Sequence, residues 1–186
     1  IILHSILAWK RWSKSQRKGI KMVELIDVVN GDNEVIGEAP RKGIHETKLK
    51  HRAVHIFISD GRSNIWLEKR AEHCDTYPGY HNSSAAGHVA KGEFYEQAAK
   101  REVEEELGFK NINLKLLHTL EASEETSNEF IAFFIGQTDQ KPTIHSDTAE
   151  LKLMDVAEIK RLIADGERFT PVFKLLFDYY LRKANE

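Results

Sequence analysis

Cysteine is almost absent from this chain. Cys74 is the single one, which excludes an intramolecular disulfide and fits a reducing compartment such as the cytoplasm. No stretch is apolar and long enough to cross a membrane as a helix. No internal repeat or low-complexity segment is present. Acidic residues are missing from residues 1–22, which carry Lys10, Arg11, Lys14, Arg17, Lys18 and Lys21. The overall charge of −2 therefore hides a body with 21 basic and 29 acidic residues, a net of −8. An acidic body argues against a nucleic-acid polymer as partner. It is compatible with a small phosphorylated substrate whose charge a bound metal offsets.

What is present suits one folded domain. The chain has 186 residues, 41% hydrophobic and 30% charged, enough for a sizeable core. The apolar part of the basic segment, Ile1 to Trp9, precedes its charged part, the reverse of a secretory signal. We expect residues 1–22 to be an extension, with Met22 near the start of a single domain over 23–186. The alternative is an amphipathic arm that rests on a membrane surface or a partner.

Val23 to Val29 and Glu34 to Gly37 read as strands around the turn-rich Asn30-Gly31-Asp32-Asn33. Arg41 to Lys50 reads as a polar connection. Ala53 to Ser59 and Asn64 to Arg70 form a hairpin about Asp60-Gly61. Tyr77-Pro78-Gly79 breaks the chain before a short strand ending near Gly87. A helix is expected over Phe94 to Leu107, with Tyr95, Ala98, Ala99, Val103 and Leu107 as its apolar stripe. Strands follow at Leu114 to Leu120, Phe130 to Gln137 and Leu151 to Met154. Asp155 with Glu158 predicts a capping box for a helix to Ala164. Thr170 and Pro171 predict the N-cap and first turn of a last helix, ending near Arg182. Strands interleaved with three helices imply an α/β fold with a sheet covered on both faces.

The chemistry concentrates in Gly87 to Phe109. Glu102, Glu105 and Glu106 are spaced i, i+3, i+4, so a helix places them on one face. Gly108 is a natural C′ residue, which puts these acids in the last turns, where the helix dipole disfavours them. Like charges at this spacing repel by about 0.2–0.5 kcal/mol per pair. A divalent cation removes that penalty, and hard oxygen ligands suit Mg2+ or Mn2+. The alternative is a solvated acidic face partly neutralised by Lys100 and Arg101.

The whole stretch reads G-x5-E-x7-R-E-aliphatic-x-E-E-x-G-hydrophobic, through Gly87, Glu93, Arg101, Glu102, Val103, Glu105, Glu106, Gly108 and Phe109. It resembles the Nudix box, the signature of hydrolases that cut diphosphates linked to another group. The resemblance implies an α/β/α sandwich with a mixed sheet. It implies metal ligation by Glu102, Glu105, Glu106 and the main-chain carbonyl of Gly87. Arg101 would orient Glu102, and Glu93 would brace the loop–helix–loop through Arg101. Glu102 and Glu129 are the candidate general bases. Arg70, and more weakly Arg41, are candidates for the substrate phosphates. The edge strand of the N-terminal hairpin could pair across a homodimer, an expectation from family habit.

Over about Glu24 to Phe173 the chain also resembles the Nudix subgroup close to type 1 isopentenyl-diphosphate isomerase. This rests on Leu25-Ile26-Asp27, Gly37, His45, Leu49-Lys50-His51-Arg52-Ala53, Lys69-Arg70-Ala71, Tyr77-Pro78-Gly79, Asn82-Ser83, Gly87-His88 and Asn128-Glu129. The resemblance implies a second metal site at His45, His51, His88 and Glu129. Imidazole and carboxylate together suit manganese, iron or zinc. The isomerase's catalytic cysteine is Ala86 here, its other acidic ligand is Ser127, a phosphate-holding lysine is Cys74, and a C-terminal tryptophan is Val172. Alanine cannot exchange a proton, so these departures favour hydrolysis over isomerisation. An isomerase and a non-catalytic ligand sensor remain the alternatives. Tyr77, Tyr80 and Phe94 are expected in the core, the alternative being an apolar wall for a base or prenyl group.

Overall fold

Burial with a period of two decides the architecture. The computed structural model describes residues 24–74, 76–143 and 148–184, so the extension expected over 1–22 lies outside the described residues. Along β3 (His51–Ser59), Ala53 and Phe57 join one apolar cluster, while Val54, Ile56 and Ile58 join another. A strand with two apolar faces must be covered twice. The element order is β1 (Leu25–Val29), β2 (Val35–Pro40), α1 (Arg41–Glu46), β3, β4 (Asn64–Arg70), β5 (His81–Asn82) and β6 (Ala85–His88). It continues with α2 (Tyr95–Leu107), β7 (Leu114–Leu120), β8 (Glu129–Gln137), β9 (Thr148–Asp155), α3 (Val156–Ala164) and α4 (Pro171–Ala184).

The larger sheet has seven strands, ordered β5-β4-β3-β8-β7, with β6 also pairing β3 and β9 also pairing β4. Only β3 and β8 run parallel, so the sheet is mixed. α2 covers one face through Ala98, Ala99, Val103 and Leu107. α3 and α4 cover the other through Ile159, Phe173, Leu176 and Phe177. This is the expected α/β/α sandwich. Phe57 and Phe133 meet edge-on at 4.7 Å in the α4 layer, an arrangement that adds to simple area burial. β1 and β2 form a separate two-stranded sheet.

The helix ends follow local chemistry. Phe94 N–H donates to Gln97 Oε1 (3.0 Å) at the start of α2. Gly108 ends it at φ 69°, and a Cβ there would sit 2.4 Å from Thr143 Oγ1. Thr170 Oγ1 accepts from Phe173 N (3.2 Å) and donates to Asn82 Oδ1 (3.1 Å). That one hydroxyl caps α4 and ties its start to β5.

Several expectations need correction. Residues 41–46 are helical: buried Ile44 anchors a short turn, which stops at Lys48 with φ 53°. β9 extends over Thr148–Asp155 because it pairs with the full length of β4, from Asn64↔Asp155 to Arg70↔Thr148. The box at α3 is one-sided. Asp155 accepts from Ala157 N at 2.7 Å, but Glu158 turns to Lys152 Nζ at 3.0 Å. Phe94 is 72% exposed and Tyr77 39% exposed, so neither is a core residue. Phe94 occupies the cap position, outside the apolar stripe of α2.

One buried polar pair interrupts the α4 layer. His55 Nδ1 lies 2.8 Å from Ser83 Oγ, and both residues are buried. Burial chiefly drives the His55 pKa from 6.5 down to about 4; the Glu129 carboxylate opposes this, and His88 and Arg70 add to it. The unfolded chain takes up a proton below pH 6.5 that the folded chain refuses until about 4. Stability is therefore full above pH 6.5 and falls through that window as pH drops, by on the order of 3 kcal/mol. We expect His55→Gln to lose less of its urea midpoint than the wild type between pH 7 and pH 4.5. Equal losses would show that His55 does not titrate this way.

Candidate functional site

β6 is short, and two charged clusters meet across it. On the α2 side, Gly87 faces Glu102. A Cβ at Gly87 would fall 2.0 Å from Glu102 Oε1, so only glycine admits the carboxylate there. Glu106 Oε2 accepts from Ala86 N at 3.0 Å. Arg101 bonds Glu93 twice, through Nε (3.0 Å) and Nη2 (2.8 Å). Its Nη1 reaches Glu102 Oε1 (2.5 Å) and Glu105 Oε2 (3.3 Å), and Nη2 also donates to His88 O (2.9 Å). Glu93 closes the loop by accepting from Ala90 N at 3.0 Å.

The environments of these acids differ. Burial raises the Glu102 pKa despite the opposing Arg101 charge. Burial also lifts Glu106 well above the carboxylate norm, with Glu68 and then Glu102 adding repulsion. For Glu93, burial pushes up, but the Arg101 and Ala90 hydrogen bonds hold it below the usual value. Glu105 is exposed at the end of the row.

On the opposite side of β6, His45, His51, His88 and Glu129 offer ligand atoms that all lie within 4.8 Å of one another. α1 carries His45, and the register pairs His51↔Glu129 and Ala53↔His88 align the rest. His45 Nε2 and His88 Nε2 are 3.0 Å apart. His51 Nδ1 meets Leu49 O at 2.9 Å, which fixes its tautomer and leaves Nε2 with a lone pair. That Nε2 is buried without a hydrogen-bond partner, 3.4 Å from Glu129 Oε1. His88 Nε2 stands 3.6 Å from the same oxygen. Burial works against ionisation of Glu129, but when His51 and His88 carry protons towards it they outweigh burial and hold the carboxyl well below its usual range. These four groups could hold a cation, and the donor set fits a divalent transition metal.

The charge of Arg70 opposes the upward shift of Glu106. Its guanidinium also grips the following loop, through Thr76 O (2.9 Å) and Thr76 Oγ1 (3.3 Å). Arg41 lies at the surface, paired with Glu24 at 3.4 Å. Sequence reasoning missed Glu68. It is buried on β4, accepts from Thr148 Oγ1 at 3.0 Å, and shares the α2 face with Trp66 two residues earlier. That apolar neighbour at i−2 was the available signal.

Residues 49–173 match the profile of the NUDIX domain. The chain is 30% identical over 163 residues to isopentenyl-diphosphate delta-isomerase 2 of Photorhabdus laumondii, covering 84% of this chain and 92% of that one. It is 36% identical over 97 residues to the uncharacterised Nudix hydrolase YfcD of Escherichia coli K12, covering 52% of this chain and 54% of that one. It thus spans about half the length of YfcD. Among solved structures, DR0079 of Deinococcus radiodurans superposes with a TM-score of 0.73 at 23% identity, covering 84% of this chain and 99% of that one. The NUDIX domain of Shewanella oneidensis NrtR, crystallised with ADP ribose, gives 0.60 at 13% identity, covering 73% and 88%.

Removing one member of a partly buried ion pair strands the other. Arg101→Met should cost about 2–4 kcal/mol in chemical denaturation. Arg101→Met combined with Glu93→Met should cost less than the two single changes together. Strict additivity would show that the two side chains are not coupled.

Proposed function

The chain belongs to the Nudix family, and on that basis we propose that it is a metal-dependent hydrolase. It cleaves a diphosphate bond in a nucleoside diphosphate derivative or another organic diphosphate, by attack of water on phosphorus. The observation that carries this reading is the close approach at Gly87, where a Cβ would strike the Glu102 carboxylate. A carboxylate pressed against a bare stretch of strand, with its neighbours three and four residues on, is poorly explained by packing and well explained by a cation site.

Glu102, Glu105, Glu106 and the carbonyl of Gly87 would hold Mg2+ or Mn2+. When bound, the ion supplies charge neutralisation at phosphate oxygens and acidifies water. Arg101 keeps Glu102 aimed across β6 through the 2.5 Å bond. Glu102, raised by burial, is one candidate base, and Glu129 the other. Arg70, whose charge acts on Glu106, is the stronger candidate for the diphosphate, and Arg41, which is paired with Glu24, the weaker. The histidine cluster would hold a second cation, through His45, His51, His88 and Glu129. A single cysteine suits a cytoplasmic role, and the substrate is a small molecule. The edge of β2, which among the described residues pairs only with β1, is where a homodimer would form.

The similarity to an isopentenyl-diphosphate isomerase, together with the histidine cluster, favours a second reading, isomerisation of a prenyl diphosphate. Ala86 speaks against it, because a methyl group cannot carry a proton.

The test is release of phosphate and mononucleotide from nucleotide sugars, dinucleotides, nucleoside triphosphates and prenyl diphosphates, with Mg2+ or Mn2+. Release should stop on chelation and fall at least about a hundredfold in Glu102→Gln and Glu105→Gln. Binding without release from any compound would sink the hydrolase reading, and double-bond migration in isopentenyl diphosphate would replace it with the isomerase.

A further inference from the structure

The chemistry described so far uses the first residues of β3 and β8. Their last residues frame a cavity of about 230 Å3. It is built from alternate positions on four neighbouring strands, as one face of a sheet requires. Phe57 and Ser59 come from β3, Ile135 and Gln137 from β8. The register pairs Ser59 with Ile65 of β4 and with Gln137, and Ile135 with Lys115 of β7. Directly paired residues share a face, and Phe57, Ile65 and Ile135 belong to the α4 layer. Tyr180 of α4 closes the side, its ring 5.8 Å from that of Phe57. The box carboxylates lie towards α2, on the other face. Ser59↔Gln137 also lies eight residues beyond His51↔Glu129 along both strands, roughly 26 Å away. The cavity is therefore a separate place in the molecule.

Its lining has two characters. Buried Phe57 and Ile65 form an apolar floor with Ile135 and the Tyr180 ring. Lys115, Asn113 and Gln137 stand at the exposed rim. Lys115 is the one charged residue of the lining, and no acid joins it. Among the described residues no carboxylate pairs with Lys115. A cation over an apolar floor, with amide donors beside it, selects an anion with an apolar body. One lysine balances a carboxylate. A phosphate monoester, at about −1.5 to −2, would leave charge uncompensated. Apolar cavities of roughly 150 Å3 admit benzene, so this one holds a single ring with its carboxylate. Phe57 and Tyr180, inclined at 67°, offer a third ring the edge-to-face contacts that aromatic groups prefer. Burial raises the Tyr180 pKa, so its hydroxyl stays a neutral donor.

We propose that this cavity is a second ligand site, which takes a single-ring aromatic carboxylate. The ring lies on Phe57 and Ile65 against Tyr180, and the carboxylate meets Lys115 beside the Asn113 and Gln137 amides. Gly61 supports the rim. A Cβ there would stand 2.4 Å from Gln137 Nε2, so the turn between β3 and β4 leaves room for that amide. A ligand so placed bridges β7, β8 and α4 and needs neither the box nor the histidine cluster.

The experiment is NMR titration of the 15N-labelled full chain with benzoate, and with benzyl alcohol as the ring without its charge. Benzoate should saturate, shifting the amides of Ile135, Gly136 and Gln137 and leaving those of Gly87 and Glu102 in place. Neither EDTA nor inorganic pyrophosphate with Mg2+ should displace it. Lys115→Met, at an exposed position, should weaken benzoate at least about tenfold and change benzyl alcohol less than about twofold. Asn113→Trp, also at an exposed position, should fill the mouth and weaken both probes at least about tenfold. No saturable shift up to about 10 mM benzoate, shifts centred on the box, displacement by pyrophosphate, or equal losses of both probes in Lys115→Met would each overturn the proposal. Hydrolysis enters none of these readouts, so the proposal stands or falls apart from the function of the box.

Discussion

Arg101 donates to Glu93 through two nitrogens, to Glu102 and Glu105 through a third, and to the carbonyl of His88. The arrangement of the box carboxylates rests on this one guanidinium. Its planar fork suits several carboxylates at once, which a lysine ammonium could not replace in geometry. Three acids within two turns of a helix C-terminus would otherwise repel one another and the helix dipole. By spanning Glu93, before the helix, and His88, on β6, Arg101 fixes the loop, the helix and the strand relative to one another. The apolar stripe of α2 packs on the sheet, and Arg101 sets what the remaining face presents.

β6 is the second constraint. Its backbone is shared between two charged clusters that face away from each other. Gly87 gives room to Glu102, the amide of Ala86 binds Glu106, the carbonyl of His88 binds Arg101, and the His88 ring joins the histidine cluster. The two clusters are thus joined through the backbone of one strand of four residues. The α4 layer closes this arrangement from behind, through Thr170 and Asn82.

Much of this is legible in the sequence, and the limits have physical reasons. The box helix was readable because its apolar stripe, its acids and its terminal glycine agree in register. β3 and β8 were readable because two-sided burial makes them nearly continuous apolar runs. α1 was not, because a six-residue helix rests on Ile44 alone within a polar stretch. β9 extended beyond the reading because its first residues are half-exposed and gain their strand geometry from pairing with β4. Glu68 and His55 were missed for a shared reason: a polar residue inside a strand shows its importance only when the neighbouring strand supplies the partner. Phe94 and Tyr77 were misread because aromatic character suggests burial, while cap and turn positions turn those side chains outward. The four residues of the histidine cluster were picked out by resemblance, since their spacing along the chain gives no hint that α1, β3, β6 and β8 bring them together.

The proposed hydrolysis has water attack phosphorus beside the carboxylates that Arg101 organises. The direct measurement is turnover in 18O-labelled water, followed by mass analysis of both products. The account expects one labelled oxygen per turnover, carried on a phosphate product. Label on the carbon side of the cleaved bond, or an isomerised diphosphate with no label at all, would contradict it.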